Sequence, residues 1–514
     1  MQKIKILLLF FLAITSFTSI AQDDIKAQQF SRFMYQGTAR STAMGGAFTS
    51  LGGDFSAVML NPASIGVYSS STFSLTTSMG SYGSEASYFG NTVDDNRVNV
   101  KIDEISAVFS FDLVDSDSRF LRANFGLGYT KLADFNSNLR IRGVNYDNSI
   151  MNYFENNANA NPGIFHPAYE GLANTANLII YDEEGDFYFS EVVDDQFLRN
   201  ESGQFIEDED GNLLPNDQFH VTQLKSVEDR GNIGAFNFSF GLNYSNKFYV
   251  GGALNIVSLY HRQEQKHSEY DPIDYDIMGF RSMSFNEYSI VDGMGLNMQI
   301  GGIFVPTPMI RLGLSVQTPT FMEINEEWYN TISSTFDGEN IGGTNGDVES
   351  ETYTNEYKFS SPWRINTGIA FQLFNSGYLS LGHEYVNYQN SQFRDLASEV
   401  EIYDDPNGKI DDYLHAVHNL SAGIEWRFSP VYIRAGYAFY ADPYDKFDLN
   451  FDSKNDVNVV SAGLGTRLGD MGIDISGSYS VQPEKQFNLY IDNPVNAEYT
   501  QSKFRFAVTF STRF

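Results

Sequence analysis

The last thirteen residues, 502–514, alternate strictly between two kinds of side chain, and this alternation constrains the fold more than any other feature. One face consists of Phe504, Phe506, Val508, Phe510, Thr512 and Phe514. The opposite face includes three cations, Lys503, Arg505 and Arg513. Such a strand suits the wall of a transmembrane barrel, which has hydrocarbon on one side and water on the other. A strand of a soluble sandwich has the same period, so the rest of the chain must decide.

Similar segments recur along the chain and give fourteen predicted strands. They begin near Thr72, Ile105, Arg122, Gly234, Phe248, Met294, Ile310, Arg364, Leu379, Asn419, Val431, Asn458, Gly472 and Ser502. Short turns follow the even-numbered strands. The longer connections begin near Ser81, Leu132, Tyr260, Pro319, Gln389, Ala441 and Val481. Bacterial barrels have even strand numbers, short periplasmic turns and longer external loops, so the pattern predicts an all-β, fourteen-stranded antiparallel transmembrane β-barrel over residues 72–514.

The first residues of the chain, 1–21, have the features of a secretory signal peptide. Lys3 and Lys5 are basic, residues 6–14 form an apolar core, and residues 19–21 form a small-residue cleavage site. We place cleavage after Ala21. No later stretch has the roughly 18 uninterrupted apolar residues that a membrane-spanning helix needs. Export of a predicted barrel indicates the outer membrane of a Gram-negative bacterium.

The composition argues against several classes of protein. The chain has 65 Asp and Glu against 33 Lys and Arg, which excludes nucleic acid as a partner because phosphate contacts need clustered cations. It has no cysteine, so neither disulfides nor thiolate metal sites stabilise it. Its aromatic content of 15% is high, as aromatic girdles at both membrane interfaces require.

Two parts of the chain lack the strand pattern. Residues 22–71 are rich in small residues and contain a helix predicted to begin at Asp54 and to end at Asn61, because Pro62 disfavours helical geometry in the residue before it. We predict that this segment folds inside the barrel as a hatch, or plug. The longest connection, residues 132–232, is far longer than an ordinary loop and is predicted to be a functional or separately folded insertion.

Local structure is predicted inside this long insertion. Residues 167–178 are predicted to form a short helix. Residues 187–192 and 205–214 are predicted to pair as a hairpin around the Asp210-Gly211 turn.

The segment before the first strand also carries a recognisable motif. Residues 37–48 read GTARSTAMGGAF, and they are followed by a GDFSA run at 53–57 and by Asn-Pro-Ala at 61–63. This pattern resembles the hatch of the FadL/TodX family of outer-membrane transporters for hydrophobic compounds. The resemblance extends to residues 311–319, to residues 361–368 and to the terminal Phe514. It implies a fourteen-stranded barrel with an N-terminal hatch.

The resemblance also implies a function. A hydrophobic small molecule, such as a long-chain fatty acid, is expected to bind near the external loops, to move into the lumen and to leave sideways through the wall when the hatch shifts. Hatch or gating roles then fall on Gly45, Gly46, Asn61, Pro62 and Ala63. A simple helix stop before the first strand explains the last three residues equally well.

Two further groups of residues are candidates for the ligand path. Phe321, Met322 and Trp328 follow a strand on the predicted external side and are candidates for an apolar groove, although an interfacial aromatic girdle also explains them. Gly126 and Gly128 are candidates for a kink that opens the wall sideways. Small inward residues that make room for the hatch are the alternative explanation of these glycines.

No motif for catalysis, metal binding or a cofactor is found. The histidines lack the spacing of metal ligands, and no nucleophile elbow or phosphate loop is present. We expect no enzyme activity and no cofactor, and we expect a monomer in contact with outer-membrane lipid and lipopolysaccharide. Two alternatives to transport stay open, namely an assembly or shuttle partner for secreted or periplasmic proteins, and a haemin receptor.

Overall fold

The structure, a computed structural model, describes most of the chain after the predicted signal peptide. The described residues are 24–113, 119–200, 202–271, 277, 279–337, 346–374, 376–396, 403–444 and 456–514. Residues 1–21 lie outside them, so their role as a signal peptide stays a prediction.

Fourteen long strands of the described chain pair antiparallel with their neighbours and close into a barrel. They are β1 (Thr72–Tyr88), β2 (Asn91–Asp112), β3 (Phe120–Asp134), β4 (Val221–Tyr244), β5 (Phe248–Tyr270), β6 (Phe280–Thr307), β7 (Ile310–Gln317), β8 (Arg364–Leu373), β9 (Gly377–Asn387), β10 (Ala416–Phe428), β11 (Val431–Tyr440), β12 (Val457–Leu468), β13 (Met471–Phe487) and β14 (Ala497–Arg513). Each strand pairs with the next in this order. The pairing of β1 with β14 completes the cylinder. The predicted fold is confirmed.

The apolar face of each strand points out of the barrel. On β6, Met294, Met298 and Ile300 are 64%, 62% and 69% exposed, whereas the alternating Asn297 and Gln299 are buried. A belt of exposed apolar side chains around a polar interior is the arrangement of a transmembrane barrel. Among the described residues, no helix is both long and apolar enough to cross a membrane.

Several strands continue well beyond the predicted ends. The connection predicted to begin near Ser81 is instead strand up to Tyr88, with the turn at Phe89 and Gly90. Similarly, β5 continues to Tyr270 and β13 to Phe487. Above the belt both faces of a strand meet polar surroundings, so backbone pairing continues without the alternation on which the prediction depended.

The external ends carry additional strands. Ser137–Asn145 pairs with β4, and Phe321–Phe336 pairs with the upper part of β6 and with Tyr353–Ser360. Tyr353–Ser360 also pairs with Gln392–Asp395. The connections predicted near Leu132, Pro319 and Gln389 therefore contain ordered sheet.

Residues 24–71, which we call the inner segment, lie inside the barrel. Two short α-helices, α1 (Asp24–Ser31) and α2 (Ala39–Ala43), are followed by 3-10 helices over Ser56–Met59 and Pro62–Val67. The predicted helix end at Asn61 is present, because Asn61 is extended and its side chain accepts a hydrogen bond from the Ala63 amide. Serine, alanine and glycine dominate the segment, which lets its backbone approach the wall closely.

The long insertion folds as a cap over the external end of the barrel. It contains α3 (Ile150–Ala160), α4 (Glu170–Thr175) and α5 (Glu191–Asp194). Phe154, Leu172 and Phe219 of the cap pack in one apolar cluster with Phe285 of β6 and Ile332. The cap is therefore held on the barrel by a hydrophobic core of its own.

The local predictions inside the insertion are only partly right. The helix predicted over residues 167–178 is shorter, and the predicted pairing of residues 187–192 with 205–214 is wrong. Phe187–Phe189 instead pairs with Ile180–Asp182, because a tight turn, in which the Asp186 amide donates to the Asp182 carbonyl, connects these two segments. The turn at Asp210-Gly211 is present between the bridged residues Glu207 and Leu213.

Candidate functional site

The inner segment is fitted to the wall through inward-facing glycines. Glycines of nine wall strands would each place a Cβ against it: Gly126, Gly128, Gly241, Gly251, Gly301, Gly313, Gly368, Gly423, Gly436 and Gly463. A Cβ on Gly436 of β11 would lie 2.2 Å from the Gly45 amide nitrogen, and one on Gly251 of β5 would lie 2.5 Å from the Pro62 carbonyl oxygen. Backbone atoms cannot move aside as a side chain can, so any larger residue at these two positions displaces the segment.

The predicted hatch residues lie at this contact. Asn61 is fully buried, and its side-chain amide donates to the carbonyl oxygens of Thr49 at 2.8 Å and Gly302 at 3.1 Å. Pro62 and Ala63 follow against β5, and Ala63 is fully buried. Asn61 thus caps a helix and also ties the inner segment to the wall. A gating role for these residues stays a prediction.

Gly45, Gly126 and Gly128 also lie against the boundary between segment and wall. Gly45 has a φ of 62° and lies against the backbone of Tyr437, a position that only glycine fills without strain. A Cβ on Gly126 would lie 2.3 Å from the side chain of Ile65, and one on Gly128 would lie 2.7 Å from that of Phe55. Both β3 glycines therefore face the inner segment.

The candidate groove residues are not brought together on one face. Phe321 is 61% exposed on the outside of its strand, whereas Met322 is buried in the lumen beside Ile324. Trp328 also faces inward and stacks on Tyr353, with ring centroids 4.3 Å apart. Only the last two residues could contact a molecule inside the barrel.

A chain of buried ion pairs connects the inner segment to the wall. Arg40 of α2 donates two hydrogen bonds to the carboxylate of Glu425, at 2.8 and 2.9 Å. Arg434 donates to the same carboxylate at 2.6 Å and to Asp474 at 2.7 Å. Glu425 therefore compensates two guanidinium groups at once, and its loss would leave Arg40 without its bound carboxylate and Arg434 with Asp474 alone.

A second charged cluster lies where β2 and β3 separate. Arg505 of β14 donates to Asp103 at 3.0 Å, to the Thr42 hydroxyl at 2.7 Å and to the Gly37 carbonyl at 3.1 Å. Lys131 also pairs with Asp103. These contacts hold the inner segment beside the point of separation.

Above this cluster the wall has a gap in its backbone pairing. Residues 104–112 of β2 pair with β3, but residues 91–102 pair with β1 alone among the described residues. The facing strand, Ser137–Asn145, pairs with β4. Side chains bridge the gap instead, because Asn99 donates to Asn136 at 3.0 Å.

The outer edge of the gap is apolar and its inner edge borders a cavity. Val98, Val100 and Ile102 on the outside of β2 are 58%, 71% and 57% exposed. On the inside, a cavity of about 330 Å³ is lined by residues 133–138 at the gap edge and by Gly45 and Gly46 of the inner segment. A molecule in this cavity is thus separated from the lipid-facing surface by side chains rather than by a paired strand.

Two histidines that the sequence left unassigned also meet. His383 of β9 and His418 of β10 are 2.8 Å apart between ring nitrogens, on the outward side of the wall. Their pairing depends on strand register, which sequence spacing does not reveal. No group of three His, Cys, Asp or Glu side chains in the described chain is arranged as metal ligands.

We expect the cap to loosen as pH rises. Burial raises the pKa of Glu155, which accepts a hydrogen bond from the Ser190 amide, to about 7, and burial also raises the pKa values of Glu191 and Asp194. A folded pKa above the unfolded value means that the stabilisation is complete below about pH 4 and is lost as the pH rises towards 7. Amide exchange in α3, corrected for intrinsic rates, should therefore be faster at pH 8 than at pH 5.

Substitution at Glu155 separates this effect from general pH sensitivity. Glu155→Gln should reduce the difference between the two pH values, whereas Glu207→Gln, at an exposed position of the same cap, should keep it. An equal difference in wild type and Glu155→Gln would contradict the assignment.

The closed cylinder, its outward apolar belt and its polar interior define a transmembrane β-barrel of the bacterial outer-membrane class. No protein-family model matches the chain, and no curated protein sequence matches it. Solved structures do match. A Pseudomonas aeruginosa FadL homologue aligns over 94% of this chain and 99% of its own, with a TM-score of 0.55 and 12% sequence identity. The P. putida toluene transporter TodX aligns over the same fractions, with a TM-score of 0.53 and 12% identity.

At this level of identity the similarity establishes a shared fold. The resemblance to FadL and TodX that the sequence predicted is confirmed for the fold, and the outer membrane of a Gram-negative bacterium is the location of this architecture.

Proposed function

We propose that the protein mediates passive uptake of hydrophobic small molecules across the outer membrane, with release through the gap between β2 and the Ser137–Asn145 strand. The observation that carries the proposal is that the lumen cavity reaches this gap, whose outer edge is apolar. Two structures of similar fold support it, since one is a FadL homologue and the other is a toluene transporter.

Lateral release has a physical reason. An apolar molecule that enters the hydrocarbon directly from the lumen avoids the free-energy cost of exposure to water. In the proposed route the ligand passes the cap, occupies the cavity and leaves between β2 and its neighbour. The ligands expected from the resemblance are long-chain fatty acids or similar compounds.

The inner segment is the proposed gate of this route. Gly45 and Gly46 line the cavity, and Asn61, Pro62 and Ala63 anchor the other end of the segment to β5 and β6. A shift of residues 24–46 would change the cavity while this anchor stays in place. The inner segment then acts as a hatch.

Closing the gap covalently tests the route. The chain has no cysteine, so cysteines introduced at Asn99 and Asn136 can be joined selectively by a short thiol cross-linker. We expect cross-linking to reduce uptake of radiolabelled oleate into cells at least tenfold, because the two gap edges can no longer separate. A cleavable linker should restore uptake after reduction.

A second cross-link serves as the control. Ile433 and Leu464 are register partners on the already paired strands β11 and β12, and both face lipid. Cross-linked Ile433→Cys/Leu464→Cys protein should transport at the wild-type rate. Unchanged uptake with the gap joined would overturn lateral release, and absence of oleate uptake by the wild type would overturn fatty acid as the ligand.

A further inference from the structure

Two neighbouring wall strands give the lumen cavity a polar lining. The inward faces of β13 and β14 contribute Ser478, Ser480, Gln482, Lys485, Gln501 and Lys503 to its lining. Several of these positions lie at or above the top of the apolar belt, since the outward residues change from Tyr479 and Val481 to Glu484 on the same strand. The cavity therefore presents a continuous stripe of hydroxyl, amide and ammonium groups.

Most of this stripe has no hydrogen-bond partner among the residues that the structure describes. Ser478, Ser480, Gln482 and Gln501 make no hydrogen bond to another described side chain. Across the cavity, the side-chain oxygen of Gln36 is buried and also lacks a partner among the described residues. A pure hydrocarbon in this cavity would strip water from these groups and return no hydrogen bond, which disfavours its binding at each of them.

The stripe also carries positive charge that is incompletely compensated. Lys485 forms no ion pair with a described residue, although Arg32 repels it and Asp442 attracts it. Lys503 lies 3.7 Å from Asp134, whose carboxylate is already bound by Lys101 at 2.6 Å. Two ammonium groups thus face a cavity whose lining carboxylates, Asp134 and Asp229, are already bound by other side chains.

The cavity lining also includes apolar residues next to this stripe. They are Met34 of the inner segment, Ala438 and Tyr440 of β11, and Val457 and Val459 of β12, where Val459 is the register partner of Ser480. A cavity in which apolar residues adjoin hydrogen-bonding and cationic groups matches an amphiphile rather than a hydrocarbon.

We propose that this cavity binds an anionic amphiphile whose head group carries several hydroxyls. The acid group pairs with Lys485 and Lys503, the hydroxyls bond to Gln482, Gln501 and the β13 serines, and the alkyl chain contacts Met34 and the valines of β12. The assignment rests on the proposed transport function and specifies the ligand class of the same cavity. It differs from a simple fatty acid because one carboxylate cannot satisfy the amides and hydroxyls of the stripe.

Four probes built on a twelve-carbon chain separate the two features of the head group. Dodecyl β-D-glucuronide has both the acid and the sugar hydroxyls. Dodecyl β-D-glucoside has only the sugar hydroxyls, dodecanoate has only the acid, and dodecanol has neither an acid nor a sugar. Binding to the full protein in amphipol is measured by calorimetry. We expect the glucuronide to bind at least tenfold more tightly than either the glucoside or dodecanoate, and dodecanol to bind most weakly.

Two variants assign the contributions to residues. Lys485→Met should weaken the glucuronide about tenfold, to the level of the glucoside, and should leave the glucoside unchanged. Gln482→Leu/Gln501→Leu should weaken both sugars and leave dodecanoate unchanged. Thermal unfolding of each variant verifies that the barrel is intact, and a destabilised variant is replaced by Lys485→Gln, for which the same loss is expected.

Two outcomes would overturn the inference. Either dodecanoate or dodecanol binds as tightly as the glucuronide, or the glucuronide binds Lys485→Met as tightly as wild type. The cross-linking experiment is independent of this ranking, since it measures the route and not the head group. If cross-linking the gap blocks uptake but the four probes bind in the opposite order of affinity, the ligand class is rejected and the proposed function is retained.

Discussion

Replacing Gly436 by alanine is expected to dislodge the inner segment and to open the barrel to ions. The new Cβ would lie 2.2 Å from the amide nitrogen of Gly45 and 2.3 Å from the carbonyl carbon of Met44. Overpacking of this kind typically costs about 1–3 kcal/mol, and here the obstructing atoms are backbone. The backbone pairing of β11 with β10 and β12 does not involve the Cβ, so the cylinder itself should form. Single-channel recording in planar bilayers should detect a conductance that the wild type lacks.

A glycine on the outer surface provides the matched control. Gly302 of β6 has only the Tyr249 carbonyl oxygen near its Cβ position, at 3.7 Å, which is an ordinary contact. Gly302→Ala should conduct and unfold like the wild type. If Gly436→Ala also stayed closed and equally stable, the tight fit between inner segment and wall would not hold.

Replacing Glu425 by glutamine is expected to destabilise the protein by about 3–5 kcal/mol, as removal of one partner from a buried ion pair does. The substitution keeps the shape of the side chain but removes the charge that compensates both Arg40 and Arg434. Because Arg40 belongs to the inner segment, the segment should loosen before the wall does. Urea unfolding in lipid vesicles measures the stability, and cleavage of the inner segment by added protease measures its release.

The exposed pair Arg122–Asp112 supplies the comparison for this experiment. Its atoms are 2.7 Å apart, but the Asp112 side chain is 68% exposed. Asp112→Asn should change the free energy of unfolding by less than about 1 kcal/mol, because water screens exposed charges. Equal effects of the two substitutions would show that the Glu425 network does not depend on burial.

The sequence predicted the part of the fold that touches lipid. The alternation in β14 places Phe504 and Phe506 outside and Arg505 inside, and the exposures agree. This succeeds because a wall between hydrocarbon and a polar lumen imposes opposite chemistry on successive residues. The same principle fails above the membrane, where β1 and β5 continue as strands with polar groups on both faces.

The candidate site was much less accessible to sequence reasoning. Arg40 and Glu425 are 385 positions apart in the chain, and only barrel closure brings them together. Lys485 and Gln36 belong to no motif, because a cavity lining depends on strand register and on which side chains lack a hydrogen-bond partner. The inward glycines were visible as small residues on alternating positions, but their contact with the inner segment required the position of that segment.

The fit of the inner segment also restricts how the molecule can be assembled. The inner segment lies against inward glycines of nine strands, so it cannot enter a closed barrel, because the lumen is no wider than the segment itself. The first and last strands must therefore pair after the inner segment has taken its place. Their pairing extends from Thr72 opposite Arg513 to Ser87 opposite Glu498. The inner segment thus has to adopt its position before the two terminal strands pair.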